Sequence, residues 1–160
     1  MLRMLLWDPK AHPADAHFVA LMKDFASSYA NKNPSTADFQ AIVERHMTPT
    51  MDLAHDHRMD WFFRQWLDGT EIPRYTVKLD LKTIAPDQYR ISGSIAQEEV
   101  STNFHGFLPI YLEFDKGEML RLAVVTFTGT ETVPIETTLK LARKPVRVVA
   151  NAMQDVLLRD

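Results

Sequence analysis

The first 68 residues follow a helical pattern of apolar and polar positions. In the clearest segment the apolar side chains recur three and four residues apart, which predicts one amphipathic helix with a single buried face. The residues predicted to form that face are Phe18, Leu21, Met22, Phe25 and Tyr29. The pattern stops near Pro34, which marks the end of this helix.

Two more helices are predicted before residue 70. Ser35 or Thr36 can cap the free amides of a new helix, and Asp38 is favourable in its first turn. The apolar stripe of this second helix comprises Phe39, Ile42, Val43, His46 and Met47. After a polar, irregular stretch at 51–57, the aromatic segment MDWFFRQWLDGTEIP predicts a third helix. Its apolar face comprises Met59, Phe62, Phe63, Trp66 and Leu67. Asp60 and Arg64 are spaced to form an ion pair on the other side of that helix.

After Pro73 the period changes from 3.6 to 2, which indicates β-strands with one buried face. Turn signals separate the strands at Pro86-Asp87, Asp115-Lys116-Gly117 and Thr128-Gly129-Thr130. The alternation predicts about seven strands, in the segments 75–81, 89–95, 108–114, 120–124, 133–141, 146–149 and 156–158. The sequence therefore predicts an α+β protein, with a helical region over 1–70 and an immunoglobulin-like or fibronectin-like β-sandwich over 71–160.

Composition narrows the possible partners. The chain has 160 residues, a formal net charge of −3 and no cysteine. Because it has no basic field and no Lys/Arg cluster, we expect no nucleic-acid partner. No apolar run approaches the ~20 residues that cross a bilayer, so we expect no membrane span. The absence of cysteine excludes disulfides and thiolate chemistry but is compatible with any cellular compartment.

The densest set of potential metal ligands lies between Asp52 and Asp60, where imidazoles and carboxylates occur close together. Zinc accepts both ligand types, so a metal site formed by His55, Asp56 and His57 is one hypothesis. The spacing argues against it, because residues two apart on a helix project about 200° apart and not onto one face. A solvated loop is the favoured interpretation.

No other pattern predicts chemistry. The serines lack a G-x-S-x-G elbow and an identifiable base, and the chain contains no H-E-x-x-H or phosphate-binding glycine motif. His46 lies on an apolar stripe, where a hydrogen-bonded core histidine is expected. We therefore predict no catalytic, cofactor-binding or metal-binding residue in this chain.

Several segments, taken in chain order, resemble one family. MLRMLLWDPK, the helix pair FVALMKDFASSYANKNPSTADFQAIVERHM and above all MDWFFRQWLDGTEIP are similar to the C-terminal part of the M1 family of zinc aminopeptidases, gluzincins related to aminopeptidase N. The later segments YTVKLDL, ISGSIAQ, FLPIYLEFDKGE and KPVRVVANAMQDVLLRD resemble the β-sandwich that follows the peptidase domain in that family. The resemblance covers essentially the whole chain.

The resemblance implies a function for a longer parent protein. The family's H-E-x-x-H zinc helix, its G-x-M-E-N substrate loop and its catalytic tyrosine have no counterpart here. No catalytic residue is therefore carried over, and zinc is expected only in the parent. The expected partners are the upstream peptidase domain of the same parent chain and the peptide substrate of the parent. This chain would contribute structural walls and a bracing β-sandwich.

The start of the chain bears on this expectation. An apolar helical face with no capping residue before it is formed by Leu2, Leu5, Leu6 and Trp7, as in a helix cut from a longer chain. Apolar faces around Leu2, Leu6 and Trp61 would then be exposed, so self-association is expected. The alternative is a free-standing helical plus immunoglobulin-like module for protein interaction, motivated by the surplus aromatic surface and the regular strands.

Overall fold

The computed structural model describes residues 1–159, which divide into two compact units, Met1–Thr70 and a second unit beginning at Glu71. The first unit contains α1 (Leu2–Leu5), α2 (Ala16–Ser28), α3 (Thr36–His46), α4 (Asp60–Phe63) and a π-helical turn (Arg64–Asp68). The second contains β1 (Arg74–Ala85), β2 (Gln88–Glu98), β3 (His105–Glu113), β4 (Met119–Thr128), β5 (Glu131–Lys140), β6 (Arg147–Ala150) and a 3-10 turn (Asp115–Gly117). The chain is therefore of mixed α+β type.

One hydrophobic core holds the helical unit together. Its buried side chains are Leu6, Leu21, Ile42, Val43, Met51, Met59, Phe62 and Phe63. The expectation that apolar faces at the start of the chain are exposed is wrong. Leu6 is only 1% exposed, and Leu2 and Trp61 pack against the same core. Met22 was predicted to be buried, but it lies on the solvent side of α2 and is 40% exposed.

The start of α3 follows the predicted capping pattern. The Ser35 hydroxyl accepts a hydrogen bond from the Asp38 backbone N–H at 3.2 Å, and the Asp38 carboxylate accepts one from the Ser35 backbone N–H at 2.8 Å. This reciprocal arrangement satisfies two amides that a helix start would otherwise leave open, and the hydroxyl cap contributes about 1 kcal/mol. The same serine and aspartate were identified from the sequence.

The aromatic segment is helical up to Gly69, as predicted, but only its first part is a regular α-helix. After Phe63 the regular α4 turns widen into the π-helical turn. Phe62 and Phe63 are buried as predicted, but Leu67 is 54% exposed. A π-turn contains one residue more than an α-turn, so Leu67 rotates away from the apolar face, while Trp66 still packs against the core.

The predicted ion pair between Asp60 and Arg64 is also wrong. The carboxylate of Asp60 is bound by Arg58, whose Nε lies 2.9 Å from Oδ2, and by the side-chain amide of Gln40 at 2.6 Å. Arg64 instead donates to the backbone carbonyl of Asp60 at 3.3 Å. The carboxylate therefore joins the start of α4 to α3.

The second unit consists of two antiparallel three-stranded sheets, ordered β1-β2-β5 and β4-β3-β6. Their inner faces share one set of buried and half-buried side chains: Ile95 and Tyr75 from the first sheet, and Leu108, Ile110 and Phe127 from the second. The two sheets therefore pack face to face. β2 and β3 are the central strands, whereas β4 and β5 each pair along one side only among the described residues.

The predicted strand at 156–158 is wrong, and the described residues contain six strands. Only an isolated parallel bridge between Arg74 and Arg159 lies in that part of the chain. Val156 is buried, but its backbone N–H and C=O both bond to the side chain of Asn151, at 3.1 and 2.8 Å. With both groups already bonded locally, Val156 is not available for a sheet ladder.

Candidate functional sites

The predicted metal-ligand segment forms a tight loop organised by Asp52. This residue is only 8% exposed, and its Oδ1 accepts hydrogen bonds from the backbone N–H groups of Asp56 and His57 at 3.0 and 3.1 Å. Its Oδ2 lies 3.2 Å from Nδ1 of His57. The loop's own groups therefore satisfy the buried carboxylate.

The two histidines of this loop lie on the outside of it. The His57 side chain is 89% exposed, His55 is exposed as well, and both residues have a positive φ near +56°. Within residues 1–159, no three or more His, Asp or Glu side chains come together in a way that could hold a metal ion. The arrangement of Asp52, His55, Asp56 and His57 is that of a structural loop and gives no support to a zinc site there.

A second polar cluster connects α2 to α3. His46 Nε2 lies 2.9 Å from Asp24 Oδ2, and the Ser28 hydroxyl donates to Asp24 Oδ1 at 3.1 Å. The hydrogen bonds from His46 and Ser28 lower the pKa of the Asp24 carboxyl below its usual value. The carboxylate stands between the imidazole and the hydroxyl, so the imidazole cannot take the serine proton as it does in a catalytic triad. His46 is hydrogen-bonded as predicted, but its side chain is 26% exposed, so it is not the core histidine that was expected. The cluster joins the two helices.

The most deeply buried polar side chain, Gln97, was missed from the sequence. Its amide oxygen accepts a hydrogen bond from the Tyr75 hydroxyl at 2.7 Å, and its amide nitrogen donates to the Gly129 carbonyl at 2.8 Å. Burial raises the pKa of the Tyr75 phenol above its usual value. A Cβ atom on Gly106 would lie 1.7 Å from the Gln97 oxygen, so only glycine fits beside this amide. The group ties β1 and β2 to the β4–β5 turn.

A cleft of about 370 Å³ opens between β4 and β5, which are edge strands of the two sheets. It is lined by Ile91, Ile110, Leu122, Ala123, Val125, Pro134, Ile135, Glu136 and Thr137. Ile91 and Ile110 come from the central strands and form its floor, while the edge strands form its walls. The volume falls within the range of small binding pockets. Glu136 is the one charged residue of the lining.

These observations define a two-unit α+β protein whose polar clusters have structural roles and whose cleft between the sheets is mainly apolar. None of the helices in the described part of the chain is both long and apolar enough to cross a membrane. The sequence matches no protein-family model and no curated protein.

Proposed function

We propose that this chain is the non-catalytic C-terminal region of a zinc aminopeptidase similar to the M1 family, in a parent protein that removes N-terminal residues from peptides. The observation that carries the proposal is the order of its parts: a helix pair whose second helix is capped, the aromatic segment MDWFFRQWLDGTEIP, and then antiparallel sheets. In this role the helices wall one side of the parent's active-site cleft, and the sheets brace the peptidase domain. Zinc belongs to the parent's upstream region, not to this chain.

The contacts of the aromatic segment support a structural role for it. Phe62 and Phe63 are buried in the helical core, and their rings meet edge to face at 5.5 Å. The Trp61 indole N–H donates to the Met51 carbonyl at 3.0 Å. Fully burying each large apolar side chain contributes about 1.5–3 kcal/mol. The segment therefore stabilises the unit that it ends.

We also propose that the second unit is an immunoglobulin-like or fibronectin-like sandwich. In that fold the first, second and fifth strands share one sheet, and the third and sixth strands lie side by side in the other. The orders β1-β2-β5 and β4-β3-β6 follow this arrangement. β4 pairs with β3 and not with β5, as the additional strand of variable-type domains does.

The coding sequence upstream of this chain tests the proposal. We expect an H-E-x-x-H motif, followed by a further glutamate ligand, within a few hundred residues. We also expect the isolated chain to leave aminoacyl anilides unhydrolysed with or without added zinc, while the parent hydrolyses them only when zinc is bound. Absence of the motif upstream, or turnover by the isolated chain above the buffer rate, would refute the assignment.

A free-standing interaction module is the second candidate, and it also accounts for one surface of α2. Val19 and Met22, one helical turn apart, are 38% and 40% exposed and form an apolar surface on the solvent side of the helix. In the first hypothesis an upstream domain covers this surface, and in the second another protein does. A natural start codon at Met1, together with a clean monomer in light scattering, would favour the module.

A further inference from the structure

The two strands that border the cleft, β4 and β5, each pair along one side only among the described residues. The free edge of β5 is protected against the addition of another strand. The Leu141 N–H donates to the Asp87 carbonyl at 2.9 Å, which makes these residues a hydrogen-bonded pair at the end of the β2–β5 ladder. Hydrogen-bonded and non-hydrogen-bonded pairs alternate along an antiparallel ladder. Pro134, paired with Ser94, therefore belongs to the second kind, and its nitrogen faces the open edge, where it has no hydrogen to donate.

The edge of β4 is oriented by Pro109 in the neighbouring strand. The Asn151 N–H donates to the Pro109 carbonyl at 2.8 Å, so this carbonyl faces the β6 side and not β4. Val124 is the residue opposite Pro109. It therefore makes no ladder bond with Pro109, and its own N–H and C=O point to the open side of β4. Thr126, two positions further on, presents the same groups.

Residues 123–126 of β4 carry none of the usual edge protections. Proteins commonly block free edges with proline, charged side chains or bulges. β5 carries Pro134 and the charged Glu136 at outward-facing positions. β4 has a bulge at Leu122, but beyond it the register with β3 is regular, and residues 123–126 contain no proline, glycine or charged side chain. No other strand of the described residues pairs with β4 on that side. One wall of the cleft is closed to strand addition and the other is open.

We propose that the free edge of β4 and the cleft beside it bind an extended peptide segment of another protein, which adds a strand to the sheet β4-β3-β6. An added strand lies about 4.8 Å from its neighbour and directs alternate side chains to one face. On the inner face these side chains reach the cleft, whose lining selects aliphatic residues. Glu136 is exposed at the rim of the cleft, on the face of β5 opposite to Ile135. From this position its carboxylate adds a preference for a basic residue in the bound segment. This site does not depend on the proposed relationship to aminopeptidases.

Binding of a defined peptide tests the site. The probe is a short fluorescein-labelled peptide of alternating valine and threonine with one lysine, measured by fluorescence anisotropy against the full chain. Val124→Pro removes the outward N–H without removing a bond to β3, so the sheet is retained, which circular dichroism checks. We expect this variant to bind about three- to tenfold more weakly. The matched variant Val124→Thr keeps the N–H and is expected to bind like the original chain.

Two further variants act through the cleft. Ala123→Trp fills the cleft and is expected to abolish binding. This variant therefore tests the site even if Val124→Pro does not fold. Glu136→Gln is expected to weaken binding of the lysine-containing peptide about threefold. Its affinity for a control peptide with threonine in place of the lysine is expected to stay the same. Equal affinity of the original chain, Val124→Pro and Ala123→Trp would overturn the proposal. So would a concentration-dependent dimer that Val124→Pro converts to a monomer while the peptide does not bind, since the edge would then serve a second copy of this chain.

Discussion

The buried amide of Gln97 makes a sharp prediction about stability and pH. Gln97→Glu keeps the size and shape of the side chain but replaces an amide that donates to Gly129 with a carboxyl group. When protonated, the carboxyl group can still donate to the Gly129 carbonyl and accept from the Tyr75 hydroxyl. When ionised, the carboxylate can only accept hydrogen bonds. Its negative charge then faces the Gly129 carbonyl oxygen, which lies 2.8 Å from the amide nitrogen of Gln97 in the original chain.

The size of the effect follows from the burial of the site. Gln97 is fully buried, and burial can raise the pKa of a glutamic acid by as much as about 3–5 units above its usual ~4.3. Each unit corresponds to about 1.4 kcal/mol. A group whose folded-state pKa is raised contributes its full stability below the unfolded pKa and loses it as pH rises. We therefore expect Gln97→Glu to lie within about 1 kcal/mol of the original chain at pH 4 and to lose about 4 kcal/mol by pH 8.

The measurement is urea unfolding of each variant and the original chain at both pH values. All three tryptophans, Trp7, Trp61 and Trp66, lie in the helical unit. Tryptophan fluorescence therefore reports on that unit, whereas near-ultraviolet circular dichroism of the tyrosines includes the sheets. The second signal is expected to shift.

Two comparison variants separate hydrogen bonding from charge. Gln97→Leu leaves the Tyr75 hydroxyl and the Gly129 carbonyl without their partner, and we expect a loss of about 2–5 kcal/mol that does not change between pH 4 and 8. Gln88→Glu makes the same chemical change at an exposed position of the same strand and is expected to cost under about 0.5 kcal/mol. If Gln97→Glu loses the same free energy at both pH values, the assigned hydrogen bonds are incorrect.

Three further predictions follow from local geometry. Gly93→Ala places a Cβ 1.9 Å from the Lys78 carbonyl oxygen at φ +140°, so we expect a loss of about 2–4 kcal/mol in urea unfolding, and a loss under about 1 kcal/mol would contradict this. Ser35→Ala removes the α3 cap and is expected to cost about 1 kcal/mol by tryptophan fluorescence, with Ser35→Asp restoring most of it. His46→Ala is expected to raise the pKa of Asp24 towards its usual value in a carboxyl NMR titration. Because a lowered pKa gives stability that is lost as pH falls through it, the variant should also show a shallower loss of stability in acid, and an unchanged Asp24 titration would contradict the contact.

Features encoded within a few residues were predictable from the sequence. The cap at Ser35 and the positive φ of Gly117, +76°, depend on neighbours in the chain, and the sequence shows both. The alternation of apolar residues likewise locates β1 to β6, because one buried face requires a period of two. The expected structural role of His46 likewise rested on its place in an apolar stripe.

Features that depend on distant partners were not predictable in this way. Asp60 has an arginine at helical spacing, yet it binds Arg58 and Gln40, because α3 passes close to the start of α4. The π-helical turn after Phe63 moves Leu67 out of the core, and no local signal marks it. Gln97 occupies an inward position of β2, two residues after Ile95, and that polar interruption of the buried alternation was the signal that could have revealed it.

The two strand prolines show how the same residue acquires opposite meanings from its neighbours. From the sequence, each proline only argues against a central strand. Pro109 nevertheless lies in the central strand β3, because its missing N–H faces the β6 side, where the last paired residue, Ala150, lies opposite Ile110. Pro134 lies on a free edge and blocks it. Since β5 is protected by such a residue while β4 is not, the difference between the two edges is the strongest reason to look for a strand-like partner at β4.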